Sequence, residues 1–207
     1  MLRFSLGILI FLMLGFFPQS AQGQTFSAGV VAGVSLTSGF PNETIVIPGP
    51  TALHTSYSSR AGNYLVGGLF EIRLPWNLAV EADGIYRPLN FKASTSSVAQ
   101  SASLNNTVLS WEFPMVLKRR FPIAAFSGLR LAPLVEVGPS FRASGNRNDT
   151  ALSTYGVTAG AGVEMRAGRA RLAPTLRYTR WASDSVARPG IPRSTRNQAE
   201  FLVGFSF

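Results

Sequence analysis

Apolar residues recur at every second position through eight stretches of this chain. In the last stretch Phe201, Val203, Phe205 and Phe207 share one face, while Glu200, Leu202, Gly204 and Ser206 share the other. Side chains alternate across a strand, so a period of two specifies strand and argues against helix. The other seven stretches are Phe26–Leu36, Tyr64–Arg73, Leu78–Arg87, Leu109–Lys118, Leu129–Arg142, Thr154–Arg166 and Arg171–Thr179. Strands of soluble sandwiches are usually about 5–6 residues. A tilted strand that crosses an outer membrane needs about 9–11, and these stretches match the longer class.

The acidic residues set the register. Of the 10 acids, Glu43, Asp149 and Asp184 fall between the stretches. All the others, Glu71, Glu81, Asp83, Glu112, Glu136, Glu164 and Glu200, lie on the polar face of a strand. Arg73, Arg87, Lys118, Arg130, Arg142, Arg166, Arg171 and Arg177 share that face. One arginine facing lipid at mid-depth costs about 2–4 kcal/mol. Charges that are buried, paired and hydrogen-bonded are tolerable. The near balance of acids and bases therefore predicts a narrow lumen filled by an ion-pair network of these fifteen residues. Gly156, Gly160 and Gly162 lie on the same face, where small residues suit a crowd of long Arg and Glu side chains. The competing arrangement is a soluble barrel or sandwich with its polar face outward, in which those glycines would do little.

Connections alternate broadly between long and short. Thr37–Gly62, Pro88–Ser103, Ala143–Leu152 and Ala182–Asn197 form one set. Leu74–Asn77, Arg119–Gly128 and Ala167–Arg169 form the other. Outer-membrane barrels have long loops outside and short periplasmic turns. The fold class expected is thus all-β, an eight-stranded antiparallel up-and-down transmembrane β-barrel. Charged residues make up only 14% of the chain, against roughly 25% in ordinary soluble domains, as a surface that meets lipid requires. Pro114, Pro133, Pro139 and Pro174 fall inside proposed strands. Proline cannot donate to a ladder, so bulges or strand ends are expected there.

Residues 1–23 have a different character. Arg3 precedes an apolar run from Phe4 to Phe17, followed by Ala21-Gln22-Gly23. This is the pattern of a secretory signal peptide cleaved after Gly23. Residues 24–207 then constitute the barrel domain. The chain has no cysteine, so no disulfide framework supports it.

Trp111-Glu112-Phe113-Pro114-Met115, Gly138-Pro139-Ser140-Phe141, Gly160-Ala161-Gly162-Val163-Glu164 and Arg177-Tyr178 resemble the small outer-membrane β-barrel domain family, the eight-stranded OmpA- and OmpX-like barrels of Gram-negative bacteria. The ending, with Phe201, Val203, Phe205 and Phe207, resembles the signal read by the barrel assembly machinery. The resemblance covers essentially all of residues 24–207. It implies a location in the cell outer membrane, contact with periplasmic chaperones during biogenesis, and a monomer. It implies no single activity, since such barrels serve as anchors, adhesins, channels or enzymes.

Chemistry is sparsely represented. His54-Thr55-Ser56 is similar to the His-x-Ser pair of outer-membrane lipid A deacylases, but that pair lies on a late strand and this one in the first long loop. No acid can be placed beside it, so no catalytic residue is expected. One histidine and no cysteine offer no metal site, and no glycine-rich phosphate loop occurs; no cofactor is expected. The net charge of +9 would suit nucleic acid, but an exported barrel meets none. Arg180, Arg188, Arg193 and Arg196 cluster at the last long loop. Arginine pairs well with phosphate, so lipopolysaccharide is the expected contact. The functional expectation is a structural or surface-interaction barrel with a plugged lumen. A small channel is the alternative, and a lipid A-modifying enzyme is a more distant one.

Overall fold

The computed structural model describes residues 26–47, 53–96, 101–122, 124–126, 129–144, 155–182 and 194–207. The expected signal peptide lies outside them. The strands are β1 (Phe26–Ser35), β2 (Glu43–Ile47), β3 (Leu53–Ser59), β4 (Tyr64–Leu74), β5 (Leu78–Ser96), β6 (Ser101–Arg120), β7 (Ala124–Phe126), β8 (Leu129–Ser144), β9 (Tyr155–Ala167), β10 (Ala170–Trp181) and β11 (Asn197–Ser206).

Eight of them close a barrel. β1 pairs β4, β4 pairs β5, β5 pairs β6, β6 pairs β8, and the order continues through β9 and β10 to β11. β11 then returns to β1, with Val30 opposite Phe205 and Val34 opposite Phe201. Every pairing is antiparallel, so the expected fold class is the one observed. The eight barrel strands contain the eight alternating stretches, with ends shifted by a few residues except in β5 and β6.

Two expected loops contain strand. Pro88–Ser103 was expected as a loop, yet β5 runs to Ser96 and β6 begins at Ser101. Thr37–Gly62 contains the hairpin β2–β3, and β3 pairs the outer part of β5 from His54↔Ser96 to Ser59↔Phe91. A four-stranded sheet, β2-β3-β5-β6, therefore stands above the barrel at the end that carries the long connections. We call this the loop end and the opposite one the turn end. Ser101–Asn105 is exposed on both faces. Alternation vanishes where both faces meet water, which is why this extension leaves no periodic signature.

The prolines need no bulge. Pairing across Pro114 keeps one register on both sides, Ala82↔Met115 and Ile85↔Glu112, with two pairs missing between. On its other neighbour Pro114 still faces Ser140. Pro174 likewise interrupts the β9 ladder and keeps its place opposite Val203. Pro139 interrupts the β6 ladder and stays opposite Val157, and Pro133 stays opposite Val163. A missing N–H thus loosens one ladder while the opposite neighbour holds the strand in register.

Inward-facing glycines serve closeness of backbones more than relief of charged side chains. A Cβ at Gly138 would land on the carbonyl of Met115, and one at Gly162 on the carbonyl of Pro174. Among the described glycines, only Gly160 would meet a charged side chain, that of Glu136 at 2.7 Å. Tight coiling of a narrow barrel brings neighbouring strands inside the space of a Cβ.

Candidate functional site: the charged lumen

The lumen is filled by side chains, as expected for eight strands. One wall is apolar: Val31, Leu65, Leu69, Ile85 and Leu202 form a buried cluster. These residues share the polar face of their strands by parity, so that face is not charged throughout. The charges fill the remainder in three tiers.

The loop-end tier is a neutral quartet. Arg87 Nε lies 3.0 Å from Glu112, and its Nη2 pairs Glu200. Arg142 Nη2 donates to Glu112 Oε1 and to Gln198 Oε1, both at 2.6 Å. The Arg142 guanidinium also lies 3.8 Å from the ring centre of Trp181, whose Nε1 donates to the same Gln198 oxygen at 2.9 Å. Trp181 is 1% exposed. Above it, the buried cluster Phe40, Tyr57, Leu89, Phe91 and Val108 closes the loop end with apolar side chains.

The middle tier centres on Arg177. It donates Nε to Glu136 at 2.6 Å and Nη1 to Asp83 at 2.7 Å, and approaches Glu81 at 3.5 Å. Lys118 joins Glu81 at 2.5 Å and Glu136 at 3.4 Å. Ser140, Thr158 and Thr179 form a buried hydroxyl chain with steps of 2.5 and 2.6 Å. That chain carries hydrogen bonding across β8, β9 and β10.

The turn-end tier is unbalanced. Glu71 is shared by Arg120, by Arg171 at 3.4 Å and by Arg73 at 3.6 Å. Glu164 accepts from Arg120 Nε at 2.6 Å. A gap of about 20 Å³ lies beside them, lined in part by Glu71, Glu164, Arg171 and Thr175, which is room for about one water.

Thirteen of the fifteen expected lumen charges enter ion pairs. Arg130 and Arg166 do not pair with an acid among the described residues. Arg130 is exposed, and Arg166 donates its Nε to the Gly168 carbonyl at 3.1 Å. They sit at strand ends beside the turns, where water solvates a charge without a partner. Arg120, expected at a periplasmic turn, belongs to the network instead. Its parity with Lys118 and Glu112 on one strand was the signal. Gln198 and Trp181 were also missed, though they share parity with Glu200 and Arg177.

Arg180 is exposed, with Nη1 3.5 Å from Asn197 Oδ1. Arg196 braces the loop base by donating to the carbonyls of Trp181 and Ala182. Arg188 and Arg193 lie outside the described residues. Phe201 and Phe205 face outward beside the closing seam, 41% and 37% exposed, with Phe207 beyond them at 56%. His54 is exposed on β3, opposite Val46 and Ser96, and neither neighbour is an acid.

No protein-family model matches this chain, and no curated protein matches its sequence. The chain is similar to several solved structures. The outer membrane protein OprG from Pseudomonas aeruginosa is 13% identical with a TM-score of 0.49, covering 87% of this chain and 92% of that one. The outer membrane protein AlkL, solved in DMPC bilayers, is 16% identical with a TM-score of 0.46, covering 93% and 94%. The transport unit of the autotransporter AIDA-I from Escherichia coli is 10% identical with a TM-score of 0.30, covering 98% and 96%. Likenesses this distant transfer no activity to this chain.

Proposed function

We propose that this protein is an outer-membrane β-barrel of a Gram-negative envelope, with a structural or surface-interaction role and a lumen plugged by its ion pairs. The exterior carries this reading. Tyr64, Trp111, Tyr155 and Tyr178 are exposed near the loop end, and Phe26, Phe70, Trp76, Phe121 and Phe207 near the turn end. Between them the outward positions include Val30, Val66, Met115, Leu117, Val135, Val137, Val163 and Leu176. Two aromatic girdles around an apolar band are what a lipid bilayer selects. The 11 residues of β4, at about 3.3 Å each and tilted by about 40°, span about 28 Å. That matches a hydrocarbon core of about 30 Å.

In this reading lipopolysaccharide is the partner at the loop end, through Arg180 and the arginines of the last loop. The barrel assembly machinery reads Phe201, Val203, Phe205 and Phe207. The molecule works as a monomer and catalyses nothing. A closed barrel resists SDS until boiled, so unboiled and boiled samples are expected to migrate differently. Identical migration, with the protein in the soluble periplasmic fraction, would overturn the membrane assignment. Refolded protein in a planar bilayer should carry no steady nanosiemens current; such a current would replace the plug with the channel alternative.

A further inference from the structure

The turn-end tier holds three arginines in one row. Arg130 on β8 lies directly opposite Arg166 on β9, and Arg166 lies directly opposite Arg171 on β10. Parity places all three on the lumen side of their strands. Like charges directly across strands are destabilising, so the row needs a reason. Directly opposed residues have Cβ atoms about 4.5–5.5 Å apart, and guanidinium groups on such stems can converge on one small anion.

The acids at this level do not neutralise the row. Among the described residues, Arg73, Arg120, Arg130, Arg166 and Arg171 share this end with two acids, Glu71 and Glu164, and Arg120 engages both of those glutamates. Three positive charges are left over. Arg171 is 2% exposed, yet its Nε and Nη2 have no hydrogen-bond partner. A buried guanidinium with two idle donors is costly unless something accepts from them.

We propose that the turn-end mouth of the lumen is a phosphate site, in which Arg130 and Arg166 hold a phosphate-bearing anion and the buried Arg171 behind them adds its charge. A phosphate group has about −1.5 to −2 charges and three strong acceptor oxygens, which suits an excess of three arginines better than one carboxylate does. Guanidinium forks match its geometry bidentately. The anion is either a free phosphate or phosphomonoester, or the headgroup of a phosphomonoester lipid at the membrane surface. The site itself does not depend on which side of the membrane the turn end faces.

The test uses the full barrel refolded in a maltoside detergent, which has no phosphate, with inorganic phosphate titrated by calorimetry. The expected result is one phosphate per chain. The double variant Arg130→Ser with Arg166→Ser should bind at least tenfold more weakly while keeping its SDS-resistant migration, since neither residue enters an ion pair among the described residues. A control with the same loss of charge at two exposed arginines, Arg60→Ser with Arg169→Ser, should bind like the parent. Equal affinity in parent and row variant overturns the site, and so does an equal loss in the control, which would mean net charge alone attracts the anion. Reconstitution separates the two sources. If bilayers containing phosphatidic acid block inorganic phosphate and pure phosphatidylcholine bilayers do not, the lipid headgroup is the occupant. Binding in both bilayers assigns the site to a free phosphate or phosphomonoester.

Discussion

The two ends of the lumen solve the same electrostatic problem in opposite ways. At the loop end Arg87, Arg142, Glu112 and Glu200 are mutually paired, and Trp181 and the Phe40 cluster seal them from water. At the turn end arginines outnumber acids, and Arg130 is open to solvent. A sealed charge must find a partner within the protein, because desolvation costs several kcal/mol per ion. A charge at an open mouth can wait for water or a ligand. Depth along the barrel axis thus decides which arginines are structural and which are available.

That contrast can be broken by substitution. The largest effect is expected for Glu112→Ala, which leaves Arg87 and Arg142 beside each other with one acid fewer. Removing one partner of a buried pair costs about 3–5 kcal/mol, read as lost stability to urea in bilayer-reconstituted protein. A loss below about 1 kcal/mol would mean that water reaches the quartet and the two ends are alike. Next comes Phe40→Ala, which opens the apolar seal and should cost about 3 kcal/mol. It should also speed hydrogen exchange of backbone amides near Trp181 and leave those near Glu71 unchanged. The smallest effect is expected at the mouth, where Arg130→Ser should shift stability by no more than about 0.5 kcal/mol. A shift as large as that of Glu112→Ala would show that the turn end is also sealed.

Much of the barrel was legible in the sequence because its two environments differ so sharply. The placement of Glu71, Glu112, Glu136 and Glu200 on one parity located the lumen face of four strands. What stayed hidden is what lies outside those environments. The polar run Ser101–Asn105 extends β6 with water on both sides, so nothing in its residue pattern distinguishes it from loop. The pairings within the lumen were not legible either. Arg177 reaches Asp83 and Glu136 across the bore, and such contacts depend on the diameter and stagger of the closed barrel rather than on any local spacing. Arg130 and Arg166 were expected as pairing residues because parity fixes a face and not a depth.

The seam between β1 and β11 makes the first and last described strands lateral neighbours. As a folded object the barrel is a ring, and its start is a feature of synthesis alone. The Ala167–Ala170 hairpin, with Gly168 exposed at φ +60°, could serve as a new break if the present ends were joined. Such a circularly permuted chain would keep all eight pairings and change only the order in which they become possible. Comparing its assembly rate with the parent's would separate what the finished ring requires from what the direction of the chain contributes.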